Sequence, residues 1–181
     1  MKKTSYKVAL GGVIASLALF CMFCTSLAPF LTYAAPMFAG TLMIIMVVEI
    51  SYSWAFLTYA AISVLSLFIT PDKEAAMLFI FLLGYYPIMK ALIEKIRRPV
   101  VEWLIKFALF NASTISCYWL IINLFNMQEV FDSLNDFGRY SIPIFIGAAN
   151  IVFVIYDLFL NTMALSYVNW FRPKFLRKIN K

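Results

Sequence analysis

The amino-acid sequence predicts an all-α protein, a polytopic membrane bundle of six transmembrane helices with both termini in the cytoplasm. Hydrophobic residues make up 64% of its 181 residues and charged residues only 13%, whereas about a quarter of the residues of a soluble domain are charged. Apolar runs of about 20 residues, the length that crosses a bilayer, recur along the chain. Because six such spans use nearly all of its length, we expect one integral membrane domain over residues 1–181.

Prolines and charged residues delimit the six spans. Residues 8–48 carry no charge, which is enough for two spans, and Pro29 marks the break because proline lacks the N–H that a continuing helix needs. Thr70 and Pro71 predict the start of the fourth helix, with Thr70 as its N-cap, and Pro87 predicts a kink within it. The predicted spans cover residues 8–27, 31–50, 53–69, 75–93, 103–125 and 141–168.

Lys and Arg residues fall almost entirely on one side of these spans. Thirteen lie near the termini or in the basic stretch from Lys90 to Lys106, and only Lys73 and Arg139 lie on the other side. Cytoplasmic loops carry such an excess, so the basic side is predicted to be cytoplasmic. The same distribution explains the net charge of +6 without a nucleic-acid partner, and the basic clusters are expected to contact anionic membrane lipids.

The longest connection, residues 126–139, is predicted to form an amphipathic helix on the outer membrane surface. Its apolar residues recur at helical spacing, namely Met127, Val130, Phe131 and Leu134. Such a helix lies in the interface with its apolar face inward. We expect it to cover the outer mouth of the bundle as a lid.

The last span carries a carboxylate, Asp157, where a membrane helix normally has none. Asn150 and Asn161 lie seven residues before it and four after, so the three side chains share an arc of about 40° on one helix face. An ionisable group at this depth costs roughly 2.5–3.5 kcal/mol and should face the bundle interior with a partner. Two interpretations remain open: a hydrogen-bonding hub between helices, or a substrate or ion ligand near the membrane midplane.

Further candidate ligands follow if a pocket opens toward the outer side. Tyr33, Lys73, Glu74 and Asn123 lie in or toward the outer half of the membrane, although each aromatic taken singly is typical of membrane core or interface. The predicted substrate-binding set is Asp157, Asn150, Asn161, Tyr118, Asn123, Tyr33 and Lys73.

Several kinds of chemistry have no residues to support them. The chain has no histidine and no G-x-x-x-x-G-K-[ST] loop, which excludes ATP hydrolysis of the P-loop kind. Cys21 and Cys24 form a C-x-x-C inside the first apolar span, where we interpret them as small helix residues rather than as a redox or metal site. We find no metal-ligand cluster or paired nucleophile and base, and we therefore expect neither an enzyme nor a cofactor.

The first span carries small residues four positions apart. Gly11 pairs with Ala15 and Gly12 with Ser16, which leaves a flat strip that another helix can approach closely. The strip fits docking of a partner protein and also fits packing within the bundle.

These residues also carry a family resemblance. The basic N-terminus that leads into Ala9-Leu10-Gly11-Gly12-Val13-Ile14-Ala15, the uncharged first outer loop with its proline, and six spans with both ends inside resemble the S components of bacterial energy-coupling factor (ECF) transporters. The stretches Pro71-Asp72-Lys73-Glu74 and Gly84-Tyr85-Tyr86-Pro87 resemble an uncharacterised, S-component-like membrane family of Gram-positive bacteria.

The resemblance implies a substrate-binding subunit in the bacterial cytoplasmic membrane. Such a subunit captures a vitamin, a precursor or a similar micronutrient from outside, and a transmembrane T subunit with two ABC-type ATPases drives uptake. Gly11 and Ala15 match the strip that meets the T subunit, with glycine in place of the first alanine. A non-transporting scaffold of a cell-envelope complex, resembling the rod-shape membrane protein, is the alternative, since it fits the same topology.

Overall fold

The computed structural model describes residues 4–28, 30–124 and 141–175, and this part of the chain is helical apart from short turns. Six stretches are long and apolar enough to cross a membrane: Thr4–Leu27, Leu31–Glu49, Tyr52–Ile69, Lys73–Ile96, Pro99–Leu120 and Pro143–Lys174. The predicted all-α, six-helix class is therefore confirmed. The predicted surface helix of residues 126–139, with Met127, Val130, Phe131 and Leu134, lies outside the described residues.

The helices are α1 (Thr4–Phe23), α2 (Leu31–Glu49), α3 (Tyr52–Ile69), α4 (Lys73–Leu78), α5 (Tyr86–Ile93), α6 (Pro99–Leu124), α7 (Ser141–Ser166) and α8 (Arg172–Phe175). Helices α4 and α5 form the fourth crossing, and α7 and α8 form the sixth. Two boundaries differ from prediction by four residues. Helix α1 begins at Thr4 rather than Val8, and α6 begins at Pro99 rather than Trp103, because proline suits the first turn of a helix.

The prediction that Thr70 caps the fourth crossing is wrong, because Asp72 is the N-cap. Its carboxylate accepts from the backbone N–H groups of Glu74 at 2.9 Å and Ala75 at 3.3 Å. Thr70 instead ends α3, and its N–H donates to the Ser66 carbonyl at 2.9 Å. Since a residue before proline is driven out of the helical region, Pro71 separates α3 from α4.

The fourth crossing is broken, as expected, although the break precedes Pro87. The π-helical segment Phe79–Leu83 separates α4 from α5, and Pro87 lies in the first turn of α5. Irregular helix leaves carbonyls to be satisfied inside the membrane. Neighbouring helices supply donors: the Tyr59 hydroxyl reaches the Ile80 carbonyl at 2.5 Å and the Tyr156 hydroxyl reaches the Leu83 carbonyl at 3.3 Å.

Helix α2 and the fourth crossing lie at the centre of the bundle. On one side they pack with α1 and α3 around residues such as Met43, Ile62 and Phe79. On the other side they pack with α6 and α7 around Phe153 and Leu160. The second of these interfaces contains the cavity described below.

Charged residues divide the two ends of the bundle. The basic end holds Lys7, whose ammonium lies 5.6 Å from the ring centre of Trp54, and Arg172, which pairs with Glu49 at 3.1 Å. Lys7 lies in the first turn of α1 and Arg172 is the first residue of α8. The first and last helices of the described chain therefore both have their terminal ends at the basic end. The acidic end holds Asp72 and Glu74, at the start of α4.

The predicted orientation places the basic end in the cytoplasm, and cysteine labelling of intact cells tests it. In a variant whose three native cysteines are alanine, a cysteine at Ser133 should react with a membrane-impermeant maleimide and one at Lys178 should not, because cytoplasmic loops carry the excess of Lys and Arg. Lysed cells, in which both positions react, are the control. If only the cysteine at position 178 were labelled in intact cells, the predicted orientation would be wrong and the basic end would lie outside.

Candidate functional site

A cavity of about 400 Å³ lies between α2, the fourth crossing, α6 and α7. Its walls are mostly aromatic and aliphatic side chains: Tyr33, Met37, Leu78, Leu82, Leu83, Tyr86, Phe110, Thr114, Tyr118, Phe145, Ala148, Ala149, Val152, Phe153 and Tyr156. This volume falls within the roughly 300–1,000 Å³ of small-molecule sites. Tyr33 in the first turns of α2 lies toward the acidic end, and Tyr86 in the first turn of α5 lies deeper in the membrane.

Most of the hydroxyl groups around this cavity already donate to protein acceptors. Tyr86 donates to Asp157 at 2.5 Å, Thr114 to the Phe110 carbonyl at 2.9 Å, and Tyr156 to the Leu83 carbonyl. Tyr33 donates to a Glu74 oxygen at 3.1 Å. A ligand inside therefore meets ring faces and methyl groups more than available donors.

Asp157 lies beneath the cavity at the centre of a buried charge cluster. Its carboxylate is 1% exposed and contacts the Lys90 ammonium at 2.5 Å and the Lys106 ammonium at 3.3 Å. The two lysines also reach Glu94, at 2.7 Å and 3.2 Å, and Lys106 reaches Glu102 at 2.8 Å. Burial is tolerable here because every ammonium has more than one carboxylate partner.

Lys90 and Lys106 were counted with the basic stretch on the cytoplasmic side, but both side chains are buried inside the bundle. Lys90 lies within α5 and Lys106 lies seven residues after the start of α6, which is about 10 Å along that helix. Both lysine side chains therefore reach Asp157 in the interior of the bundle from the side of the basic end. Their long aliphatic stems let both residues carry charge into an apolar interior.

Tyr86 joins the charge cluster to the cavity. Its ring lines the cavity floor while its hydroxyl hydrogen-bonds Asp157. The ring also packs edge-on against Phe153 at 5.0 Å. Asp157 itself does not line the cavity, so within the described residues its contacts favour the hydrogen-bonding hub over a ligand directly on substrate.

The other two members of the predicted stripe on α7 have separate surroundings. Asn150 exchanges two hydrogen bonds with Asn111 of α6, each at 3.0 Å, so its amide ties two helices together as polar groups do in membrane bundles. Asn161 lies in a small groove with Lys90 and Glu94, on the basic side of the cluster. The stripe faces inward as predicted, yet neither asparagine lines the large cavity.

Some of the candidate ligands predicted near the outer side line the cavity and others do not. Tyr33 and Tyr118 line the cavity, and Tyr118 packs edge-on against Phe145 at 5.0 Å. Lys73 instead donates to the carbonyls of Leu67 and Thr70, at the end of α3. The side chain of Asn123 lies outside the described part of the chain.

Sequence reasoning missed most of the cavity wall. The sequence feature that could have indicated this wall is a set of residues at helical spacing along α7, all of which line the cavity: Phe145, Ala149, Val152, Phe153 and Tyr156. The pattern did not single these residues out, because the same spacing is typical of any buried membrane helix face.

The small-residue strip of α1 divides between two faces. A Cβ on Gly11 would lie 3.2 Å from the Thr58 hydroxyl of α3, and Ala15 packs against the bundle core. A Cβ on Gly12 would meet no atom within 4 Å, and Ser16 beside it is exposed. The first pair therefore packs inside the bundle and the second faces outward.

Neither a metal-ligand group nor a known relative accounts for the site in the described part of the chain. Among the described residues, no three His, Cys, Asp or Glu side chains are grouped as metal ligands. No model of a known protein family, no curated protein and no solved structure matches the chain.

Proposed function

We propose that this chain is the substrate-binding membrane subunit of an ECF-type uptake transporter in the bacterial cytoplasmic membrane. The observation that carries the proposal is the cavity of about 400 Å³ between α2, the fourth crossing, α6 and α7. A pocket of this volume inside a membrane bundle suits a small molecule. A scaffold that only recruits partners needs no such interior space.

The broken fourth crossing supports the same proposal. Transporters commonly build substrate sites next to discontinuous membrane helices. Here Leu82 and Leu83 of the π-helical segment and Tyr86, which begins α5, line the cavity. A change in the angle between α4 and α5 would alter the cavity and, through Tyr86, the position of Asp157.

Energy for uptake would come from a T subunit and cytoplasmic ABC-type ATPases, because this sequence has no P-loop. Gly12 and Ser16, which face outward, suit the docking of a T-subunit helix better than the inward Gly11 and Ala15. The ATPases would then lie below the basic end.

Purification in mild detergent followed by native mass spectrometry tests the proposal. The wild-type protein should carry one small molecule per chain. Ala149→Trp should lose it, because the indole would occupy the cavity that Ala149 lines. Ile151→Trp is the matched control: Ile151 is on the same helix, but its side chain is 65% exposed on the outer surface, so the molecule should remain.

The same preparations separate the two candidate functions. Co-purification of a T subunit and ABC-type ATPases agrees with an uptake transporter. A wild-type protein that carries no small molecule and instead brings down a peptidoglycan synthase would contradict the transporter and favour the envelope scaffold.

A further inference from the structure

A groove on the outer surface of the bundle adjoins the large cavity. It has a volume of about 210 Å³ and lies between α2 and α7. Its lining residues are Ala34, Met37, Phe38, Val152, Ile155, Tyr156 and Phe159. Phe38 is 56% exposed and Ile155 is 62% exposed, so this groove faces the region that lipid chains occupy around a membrane helix.

Three side chains belong to the walls of both the groove and the cavity. Met37 of α2 with Val152 and Tyr156 of α7 line both spaces. Methionine is unbranched and changes rotamer easily, and Val152 is 46% exposed. Met37 is therefore the side chain that could move aside between the two spaces without movement of a helix.

The cavity wall also selects against polar ligands. The hydroxyls of Tyr86, Thr114 and Tyr156 donate to protein acceptors, and most of the other lining residues are hydrocarbon. A polar group placed there without a partner costs about 1–3 kcal/mol. A polar group of the ligand would be better accommodated at the acidic end, where Tyr33 of the cavity wall contacts the Glu74 carboxylate.

From this geometry we propose that the ligand is a membrane-dissolved amphiphile that enters the cavity laterally between α2 and α7. Its apolar chain or ring system would occupy the cavity, and a head group that donates hydrogen bonds would remain near Tyr33 and Glu74. This inference rests on the proposed function, since it names the substrate class of the same cavity. In this proposal the ligand is recognised by the hydrocarbon walls of the cavity and not by the polar residues of α7.

Photo-crosslinking in lipid nanodiscs tests the inference. The probe is a long-chain fatty alcohol that carries a diazirine in its chain and a terminal alkyne. After illumination, adducts are mapped by mass spectrometry of peptides. We expect saturable adducts on Leu82 and Phe153, which are 7% and 2% exposed and so are reached only from inside the cavity.

Three variants make the result specific. Ala149→Trp should abolish the adducts on Leu82 and Phe153, because it fills the cavity, and Ile151→Trp should retain them. Ala34→Trp should also abolish them, because it fills the groove rather than the cavity. Ala34→Trp still decides the inference if Ala149→Trp does not fold.

Several results would overturn the inference. Wild-type adducts confined to exposed residues such as Ile151 and Leu158 would mean ordinary contact with surrounding lipid. Internal adducts that persist in a folded Ala34→Trp protein would exclude the lateral route. If either occurs while native mass spectrometry still finds a water-soluble molecule that Ala149→Trp displaces, the proposed function survives and only the ligand class and route fail.

Discussion

Replacing Lys106 with methionine is expected to destabilise the bundle by about 3–5 kcal/mol, the loss typical of breaking a buried ion pair from one side. The side chain is 1% exposed, and its ammonium contacts Asp157, Glu94 and Glu102. Methionine keeps most of the length and the apolar stem but removes the charge. The measurement is the free energy of unfolding, or the melting temperature, in one fixed detergent.

The cluster also predicts an asymmetry between its acids and its bases. It contains three carboxylates and two ammonium groups. Asp157→Asn leaves equal numbers of both, whereas Lys106→Met leaves three carboxylates and one ammonium group, and Glu102 loses its contact with Lys106. We therefore expect Asp157→Asn to fold, at a cost of about 1.5–3 kcal/mol for the lost charge-assisted hydrogen bonds.

The double variant Lys106→Met with Asp157→Asn should be more stable than Lys106→Met alone, because it lowers the excess of carboxylates over ammonium groups from two to one by removing the most deeply buried carboxylate. Lys95→Met is the control, since Lys95 is exposed and lies 4.2 Å from the ring centre of Tyr52; it should cost about 1 kcal/mol or less. Equal losses for Lys106→Met and Lys95→Met would mean that the buried cluster contributes no more than a surface contact.

The six-helix fold follows from the sequence because hydropathy over 20 residues reports directly on what a bilayer accepts. Prolines marked the breaks within one helical turn, as at Pro71 and Pro87. The cap residue was misplaced because Thr70 and Asp72 are both good caps. Pro71 decides between them by forcing Thr70 out of the helix, and only the backbone on both sides shows which residue begins α4.

The charge cluster was predicted in part. Asp157 was identified because a carboxylate in an apolar run needs a partner. Its partners were not identified, since Lys90 and Lys106 are far from it in sequence and lie in segments that read equally well as a basic loop. Contact between residues 51 and 67 positions apart depends on how α5, α6 and α7 pack, which local patterns do not encode. The cavity escaped prediction for the same reason.

A glycine that the sequence analysis passed over gives the second large effect. Gly40 of α2 lies directly against the π-helical segment of the fourth crossing. A Cβ added there would be 2.3 Å from the Leu83 carbonyl oxygen, 2.7 Å from the Tyr156 hydroxyl oxygen and 2.9 Å from the Leu83 carbonyl carbon. Two of these atoms are backbone, so no side-chain rotation relieves the contact, and helix α2 must move away from Leu83.

Gly40→Ala should therefore cost about 3 kcal/mol, at the upper end of overpacking effects, and should lower the melting temperature in detergent. The loss includes the hydrogen bond from Tyr156 to Leu83 at 3.3 Å, which holds α7 against the break. Gly12→Ala makes the same chemical change on α1 where a Cβ meets no atom within 4 Å, so it should be neutral or slightly stabilising.

Adding Tyr156→Phe to Gly40→Ala should restore little stability, because the Leu83 carbonyl still blocks the methyl group. Equal melting temperatures for Gly40→Ala and Gly12→Ala would show that α2 does not approach the broken helix this closely. The cavity wall formed by α2 and the fourth crossing would then be wrong.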